Sequence, residues 1–236
     1  MSSAFEELDY RATALGELIL RRRRPVGEPD QWVYEVKLDG RFLMSSLVSD
    51  SERELATRAL AALGGDGLRV LVGGLGLGWT ANTVLADARV TALDVVELLP
   101  EVIAWHERGL VPLGAALCGD PRCRLVEGDC LRLLQRPPGT APLGAGYDAL
   151  LLDIDDAPDN LLDPAHAGFY TPDGLRAARA WLRPGGVFAL WTNVAQSAEV
   201  LARLRAAFPS AEAIDVGFEN PLLGEPEVNA LYFARG

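Results

Sequence analysis

Two periodicities divide the chain. Through the first fifty residues apolar positions alternate with polar ones, as in "GELILRRRR" and "WVYEVKLDGRFLMSS", with Asp39-Gly40 as a hairpin turn signal. Such alternation describes strands that bury one face. From Ser51 the spacing lengthens: Leu55, Ala59, Leu60 and Leu63 share one helical face, and Ser51 with Glu54 has the form of a capping box. Gly64, Gly65 and Gly67 end that helix, near Ala62 or Leu63.

Beyond Leu68, short apolar runs alternate with helical segments. "LRVLVGG" predicts a strand and a glycine loop, followed by a helix over residues 79–86. "RVTALDVVE" predicts a second strand, with Pro100 in the first turn of the next helix. "CRLVEGD" predicts a third, leading into a helix through Leu134, and "RPPGTAPLGAG" reads as a surface loop. "YDALLLD" is the fourth strand. Thr171-Pro172 opens a helix that Arg183-Pro184-Gly185-Gly186 ends, and "GVFALWTN" is the fifth. Ser197 starts a helix that stops near Phe208-Pro209, before a closing antiparallel pair, "AIDVGF" and "VNALYFAR".

Strands separated by helices imply parallel β-α-β units. The expected fold is therefore α/β, a Rossmann-like doubly wound, mostly parallel sheet with a small N-terminal β region. The texture changes near residue 50, giving an N-terminal β-hairpin region at 1–50 and a nucleoside-binding domain at 51–236. In such sheets ligands sit beyond the carboxyl ends of the strands, near the point where strand order reverses.

The strand-end loops carry the candidate chemistry. Gly73, Gly74, Gly76 and Gly78 follow the first strand of the sheet and let backbone approach a ligand in front of a helix N-terminus. Their G-x-G-x-G spacing suits a nucleoside-binding, methyltransferase-like loop. Glu97 ends the second strand, about 20 residues on, where an acid can accept from ribose hydroxyls. Asp94 competes for that role, but its place inside the apolar run points to another face. The third strand ends in Glu127-Gly128-Asp129-Cys130, where Asp129 either caps the next helix or accepts from an adenine amine. The fourth ends in "LLLDIDDAP", which sets Asp153, Asp155 and Asp156 where the buried run stops.

Composition narrows the ligand. The 236 residues carry a net charge of −11, which disfavours nucleic acid and favours cationic small molecules. Arg21 to Arg24 are too few for a polybasic patch and read as a solvated strand end. No apolar run reaches the roughly 18 residues of a membrane span. The acidic start lacks a signal-peptide core, so a cytoplasmic protein without membrane contact is expected. Cys118, Cys123 and Cys130 are odd in number and form no C-x-x-C pair, as for reduced packing thiols. His106 and His166 lack metal-ligand spacing, and His106 reads as structural. An oxygen cage built on Asp153, Asp155 and Asp156 lacks a completing ligand, so no metal site is expected.

At these motifs the chain resembles the spermidine synthase (polyamine aminopropyltransferase) family. The resemblance covers most of the sequence: after a small N-terminal β region come "VLVGGLGLG", "VVELLPEVI", "DPRCRLVEGD" and "YDALLLDIDDAP", in the family's order and spacing. It implies a class I methyltransferase-like fold, decarboxylated S-adenosylmethionine as co-substrate, no tightly bound cofactor, transfer of an aminopropyl group to a small amine acceptor, and a homodimer. By motif, Glu97 would hold the ribose. Asp129 would hold the adenine, with Cys130 beside it, and Asp153 and Asp156 would form the family's D-x-x-D acid pair.

That chemistry needs a deprotonated acceptor amine, whose free pKa lies near the ~10.4 of lysine, and a carboxylate can orient the amine and take its proton. Three positions depart from the family pattern. Gly76 stands where a loop Asp is usual, Leu99 stands where a second acid follows Glu97, and Leu55-Ala56-Thr57 replaces a Tyr-His-Glu segment that contacts the acceptor. An S-adenosylmethionine-dependent methyltransferase and a non-catalytic nucleoside-binding protein are the alternatives.

Overall fold

Strand β5 (Leu68–Gly73) is almost wholly apolar because both of its faces are covered, and the main sheet is built around it. The computed structural model of the protein describes residues 4–25, 30–154, 157–161, 163–220 and 225–236. Asp155 and Asp156 lie outside the described residues.

Four antiparallel strands come first: β1 (Phe5–Thr13), β2 (Gly16–Arg23), β3 (Val33–Leu38) and β4 (Arg41–Ser45), in that spatial order. Leu18, Leu20, Val36 and Leu38 alternate onto the buried face and join one apolar cluster with Leu55, Ala56 and Ala59 of helix α1 (Asp50–Ala61). The small sheet thus packs over the start of the larger fold. The basic run is the end of β2, and it is not simply solvated. Arg21 and Arg23 both bind Glu35, which is 2% exposed, at 2.7 and 2.5 Å. Arg22 binds Glu6 at 2.7 Å and stacks over Trp32.

The main sheet follows, with β6 (Val90–Glu97), β7 (Cys123–Glu127), β8 (Tyr147–Leu152), β9 (Leu182–Thr192), β10 (Ser210–Asn220) and β11 (Glu225–Arg235) joining β5. Its order is β10-β11-β9-β8-β5-β6-β7, parallel from β9 to β7 and antiparallel at β10 and β11. Helices α2 (Trp79–Ala86), α3 (Pro100–Glu107), α4 (Gly114–Gly119), α5 (Cys130–Leu134), α6 (Pro172–Arg179) and α7 (Ala198–Ala207) connect and cover it. Two apolar clusters lie on the opposite faces, one around Trp105 and one around Trp181, both fully buried. Among the described residues no helix is long and apolar enough to cross a membrane.

Local signals misplace two features. The N-cap position of α1 is Ser49, and Ser51 lies inside the helix with its hydroxyl turned to buried partners. Glu54 pairs with Arg58 at 2.9 Å, so no Ser51–Glu54 capping box forms. Arg183 to Gly186 do not separate helix from strand but make the irregular first part of β9, where pairing jumps from Tyr147↔Leu182 to Ala149↔Val187. The positive φ of Gly185 (79°) permits that detour.

Asp94 faces away from the strand ends. It accepts from the Tyr147 hydroxyl at 2.6 Å and the Arg124 guanidinium at 2.7 Å, joining β6, β7 and β8. Burial and the Asp94 carboxylate push the Tyr147 phenol well above its ordinary value. Tyr147→Phe removes a hydrogen bond to a charged partner inside the sheet layer. A loss of about 1.5–3 kcal/mol is expected, checked by urea denaturation at pH 7.

Candidate active site

The loop after β5 reaches α2 in three left-handed steps, at Gly74 (φ 91°), Gly76 (49°) and Gly78 (93°). Gly73 is different: it ends the strand, and its smallness matters because a Cβ would stand 2.8 Å from Cys130 Sγ. At Gly74 a Cβ would stand 1.9 Å from the Asp153 carbonyl oxygen, so only glycine lets the loops after β5 and β8 pass. The Asp153 amide donates to the Gly73 carbonyl at 2.8 Å, and the Gly74 amide to Val96 at 2.9 Å. Three strand ends are therefore joined by backbone at the point where strand order reverses. From the other side, His106 Nε2 bonds the Gly76 carbonyl at 2.9 Å. Burial pushes the His106 imidazole down, which keeps it neutral, with the carbonyl as its acceptor.

Glu97 is the second support of the loop. Its carboxylate oxygens accept from the Leu75 and Leu99 amides, each at 2.9 Å. Burial pushes this carboxyl up while the backbone donors oppose the shift. Besides Leu75 and Leu99, the Gly76 and Leu98 amides oppose that shift, so the backbone of two loops stabilises the charged form.

These residues line a cavity of about 150 Å³, walled by Gly74 to Trp79, Glu97, Asp153 and Trp191, and by Met44 of β4. Its described wall carries three carboxylates, Glu52, Glu97 and Asp153, and neither Lys nor Arg. Trp79 also contributes; its indole N–H is buried and has no partner among the described residues. A neighbouring cavity of about 430 Å³ shares Leu43, Met44, Ser45, Glu52 and Trp191 with the first. A third, of about 500 Å³, lies behind the C-terminal end of α1 beside Val187, on the opposite side from the strand carboxyl ends.

Of the expected site residues, the structure brings together Gly74, Gly76, Gly78, Glu97 and the catalytic candidate Asp153 in one wall, while Gly73 lies at the strand end outside it. Asp129 is engaged elsewhere. It caps α5 by accepting from the Arg132 amide at 3.0 Å, and its other oxygen meets His166 Nε2 at 2.9 Å and Arg132 Nε at 3.0 Å. Cys130 packs beneath Gly73 in the core, where burial drives its thiol far up. Asp156 lies outside the described residues.

Glu52 is the residue that sequence reasoning passed over. It stands in the first turn of α1, three residues before the Leu55-Ala56-Thr57 segment compared with the Tyr-His-Glu motif, whose Leu55 and Ala56 are buried in the core. Asp153 accepts from Thr80 Oγ1 at 2.7 Å, and Glu52 accepts from Ser51 Oγ at 2.7 Å. Burial raises both carboxyls, and the Asp153 charge raises Glu52 further, to about 7. Nothing local in the sequence marks Glu52, because an acid in a first helical turn is ordinary.

Two stability tests follow from this geometry. Gly74→Ala forces a left-handed backbone and a clash together. A loss of about 3 kcal/mol or more is expected in urea denaturation. Glu52 has a folded-state value above its unfolded one, so its contribution is fully present below about pH 4.5 and is lost as pH rises through about 7. Glu52→Gln should match the wild type near pH 4 and exceed it at pH 8, by on the order of 1–2 kcal/mol after allowing for solvent screening. Denaturation curves across that range check the sign.

No protein-family model matches the chain. Among curated proteins, polyamine aminopropyltransferase 2 of Streptomyces coelicolor is 31% identical over 215 residues, 87% of this chain and 35% of that protein. Polyamine aminopropyltransferase 2 of Pseudomonas aeruginosa is 34% identical over 121 residues, 51% of this chain and 32% of that protein. The chain thus spans about a third of the length of these curated relatives. Among solved structures, a spermidine synthase in complex with the transition-state analogue AdoDATO superposes with a TM-score of 0.76. The two are 17% identical, and the match covers 97% of this chain and 73% of that one. Human methyltransferase-like protein 13 in complex with SAH gives 0.58 at 23% identity, covering 78% and 81%. The main sheet has the class I methyltransferase-like fold.

Proposed function

We propose that the chain is a divergent relative of the spermidine synthase family, and that it binds decarboxylated S-adenosylmethionine and transfers the aminopropyl group to a small amine acceptor. Its similarity to polyamine aminopropyltransferases and the shared fold support this reading. The observation that carries this reading is the position of Asp153: it shares one cavity wall with the glycine loop and Glu97, at the switch point of the sheet.

The roles follow from the donor sets. Glu97 accepts from ribose hydroxyls at the wall it shares with the glycine loop. The loop backbone lies along the nucleoside, while Asp129 and Cys130, which do not line this cavity, take no contact role in the reading. The acidic wall favours a sulfonium and an ammonium over anions. In the transfer step the acceptor nitrogen attacks the methylene carbon next to sulfur. The carbon–sulfur bond breaks with its electron pair on sulfur, and a neutral thioether leaves. Asp153, with Asp156 as its expected companion, takes the amine proton, and Thr80 holds one Asp153 oxygen in place. The homodimer belongs to this reading and is checked by light scattering.

Gly76 supports a second reading. With no carboxylate in the loop, a donor that keeps its α-carboxylate meets no repulsion there, as S-adenosylmethionine would in a methyltransferase. Calorimetric titration with decarboxylated S-adenosylmethionine, S-adenosylmethionine and methylthioadenosine separates the two. The first reading expects preference for the decarboxylated donor and product formation with a diamine. Tight binding of the carboxylated donor alone overturns it. Asp153→Asn should lower kcat on the order of a hundredfold or more, with little loss of folding stability. Equal losses in both would make Asp153 structural.

A further inference from the structure

Glu52 belongs to both cavities, and its surroundings are built to aim it. Ser51, 1% exposed, donates its hydroxyl proton to Glu52 at 2.7 Å. The same oxygen receives the Trp191 indole N–H at 2.9 Å and the Asn229 amide at 2.8 Å. Residues from β9 and β11 thereby orient a carboxylate on α1. Across the cavity, Thr80 of α2 donates to Asp153 while its own oxygen stays 3.4 Å from the Glu52 carbonyl. The charged groups facing Glu52 are Asp153 beyond β8 and Glu97 of β6 around the first cavity, Asp50 on its own helix and, across the second cavity, Glu227 of β11. Arg53, the next residue on α1, stacks on the Trp79 ring. Among the described residues neither Glu52 nor Asp153 is ion-paired.

We propose that Glu52 is a second catalytic carboxylate of the transfer site, sharing one proton with Asp153 and receiving the acceptor ammonium as it enters from the larger cavity. This rests on the transfer reading above. Two like charges facing one small cavity are eased by a single shared proton, which leaves one net negative charge to attract the ammonium. That ammonium gives a proton to the ionised member of the pair. The free amine then forms the nitrogen–carbon bond as the carbon–sulfur bond breaks. The product leaves as an ammonium with the neutral thioether, and the pair returns one proton to solvent. Burial favours the protonated pair, and the incoming cation favours its ionised form, so the pair can cycle near neutral pH.

The test joins a titration with kinetics. Carbon-13 NMR of the labelled Glu52 carboxyl should give a midpoint near neutrality in the wild type, moving down by at least half a pH unit in Asp153→Asn. An unmoved midpoint overturns the shared proton. With decarboxylated S-adenosylmethionine and a diamine, Glu52→Gln should raise the KM for the amine about tenfold and move the acidic limb of kcat/KM to lower pH. Methylthioadenosine affinity should stay within twofold. A fall in kcat with the limb in place would make Glu52 structural and overturn its catalytic role. Wild-type protein that binds none of the nucleosides overturns the transfer reading and the catalytic half of this proposal, while the NMR titration still decides the shared proton.

Discussion

Where β5 and β8 end side by side, the chain must pass itself at almost no distance. The Asp153 carbonyl occupies the place that a Gly74 side chain would need, and the Asp153 amide is bound to Gly73. This contact does two things. It starts the left-handed course of the glycine loop, and it sets Asp153 at the rim of the space that the loop leaves open. Glu97 then holds the far side of the same loop through Leu75, while His106 holds it from behind through Gly76. A ligand placed there would meet backbone supported from three sides, so little ordering would be left to the moment of binding.

The cavity is destabilising by design of its charges. Three carboxylates share one wall without a guanidinium or ammonium among the described lining residues, and burial opposes the ionisation of each. Elsewhere the protein treats buried acids differently. Glu35 is held by Arg21 and Arg23, and Asp94 by Arg124 and Tyr147. The contrast separates acids paired with basic groups from acids that line the cavity without such a partner among the described residues. Arg21 to Arg23 of β2 are likewise engaged in ion pairs within the small sheet.

The N-terminal sheet contributes more than an appendage would. Its inner face completes the apolar cluster around α1, and Met44 approaches the glycine loop, where a Cβ on Gly76 would stand 3.0 Å from its sulfur. Asp9 accepts from the Trp105 indole at 2.8 Å, which joins β1 to α3. The small sheet therefore walls the cavity on the side that the main sheet leaves open.

Periodicity placed the strands of the main sheet and the helix at 79–86, because strand and helix burial leave distinct spacings in the sequence, and the Asp39-Gly40 turn signal placed the first-sheet hairpin. Strand-end acids were legible for the same reason: Glu97, Asp129 and Asp153 each follow an apolar run that stops. What those acids do was not legible. Asp129 caps α5 and binds His166, while Glu97 and Asp153 meet at one cavity. Ser51 looked like a helix cap, yet its partners Trp191 and Asn229 lie 140 and 178 residues away. Glu52 faces Asp153 only because α1 packs against α2 and against β8, β9 and β11. Local spacing encodes which face of an element is buried; the meeting of two charges from distant elements is decided by how those faces pack.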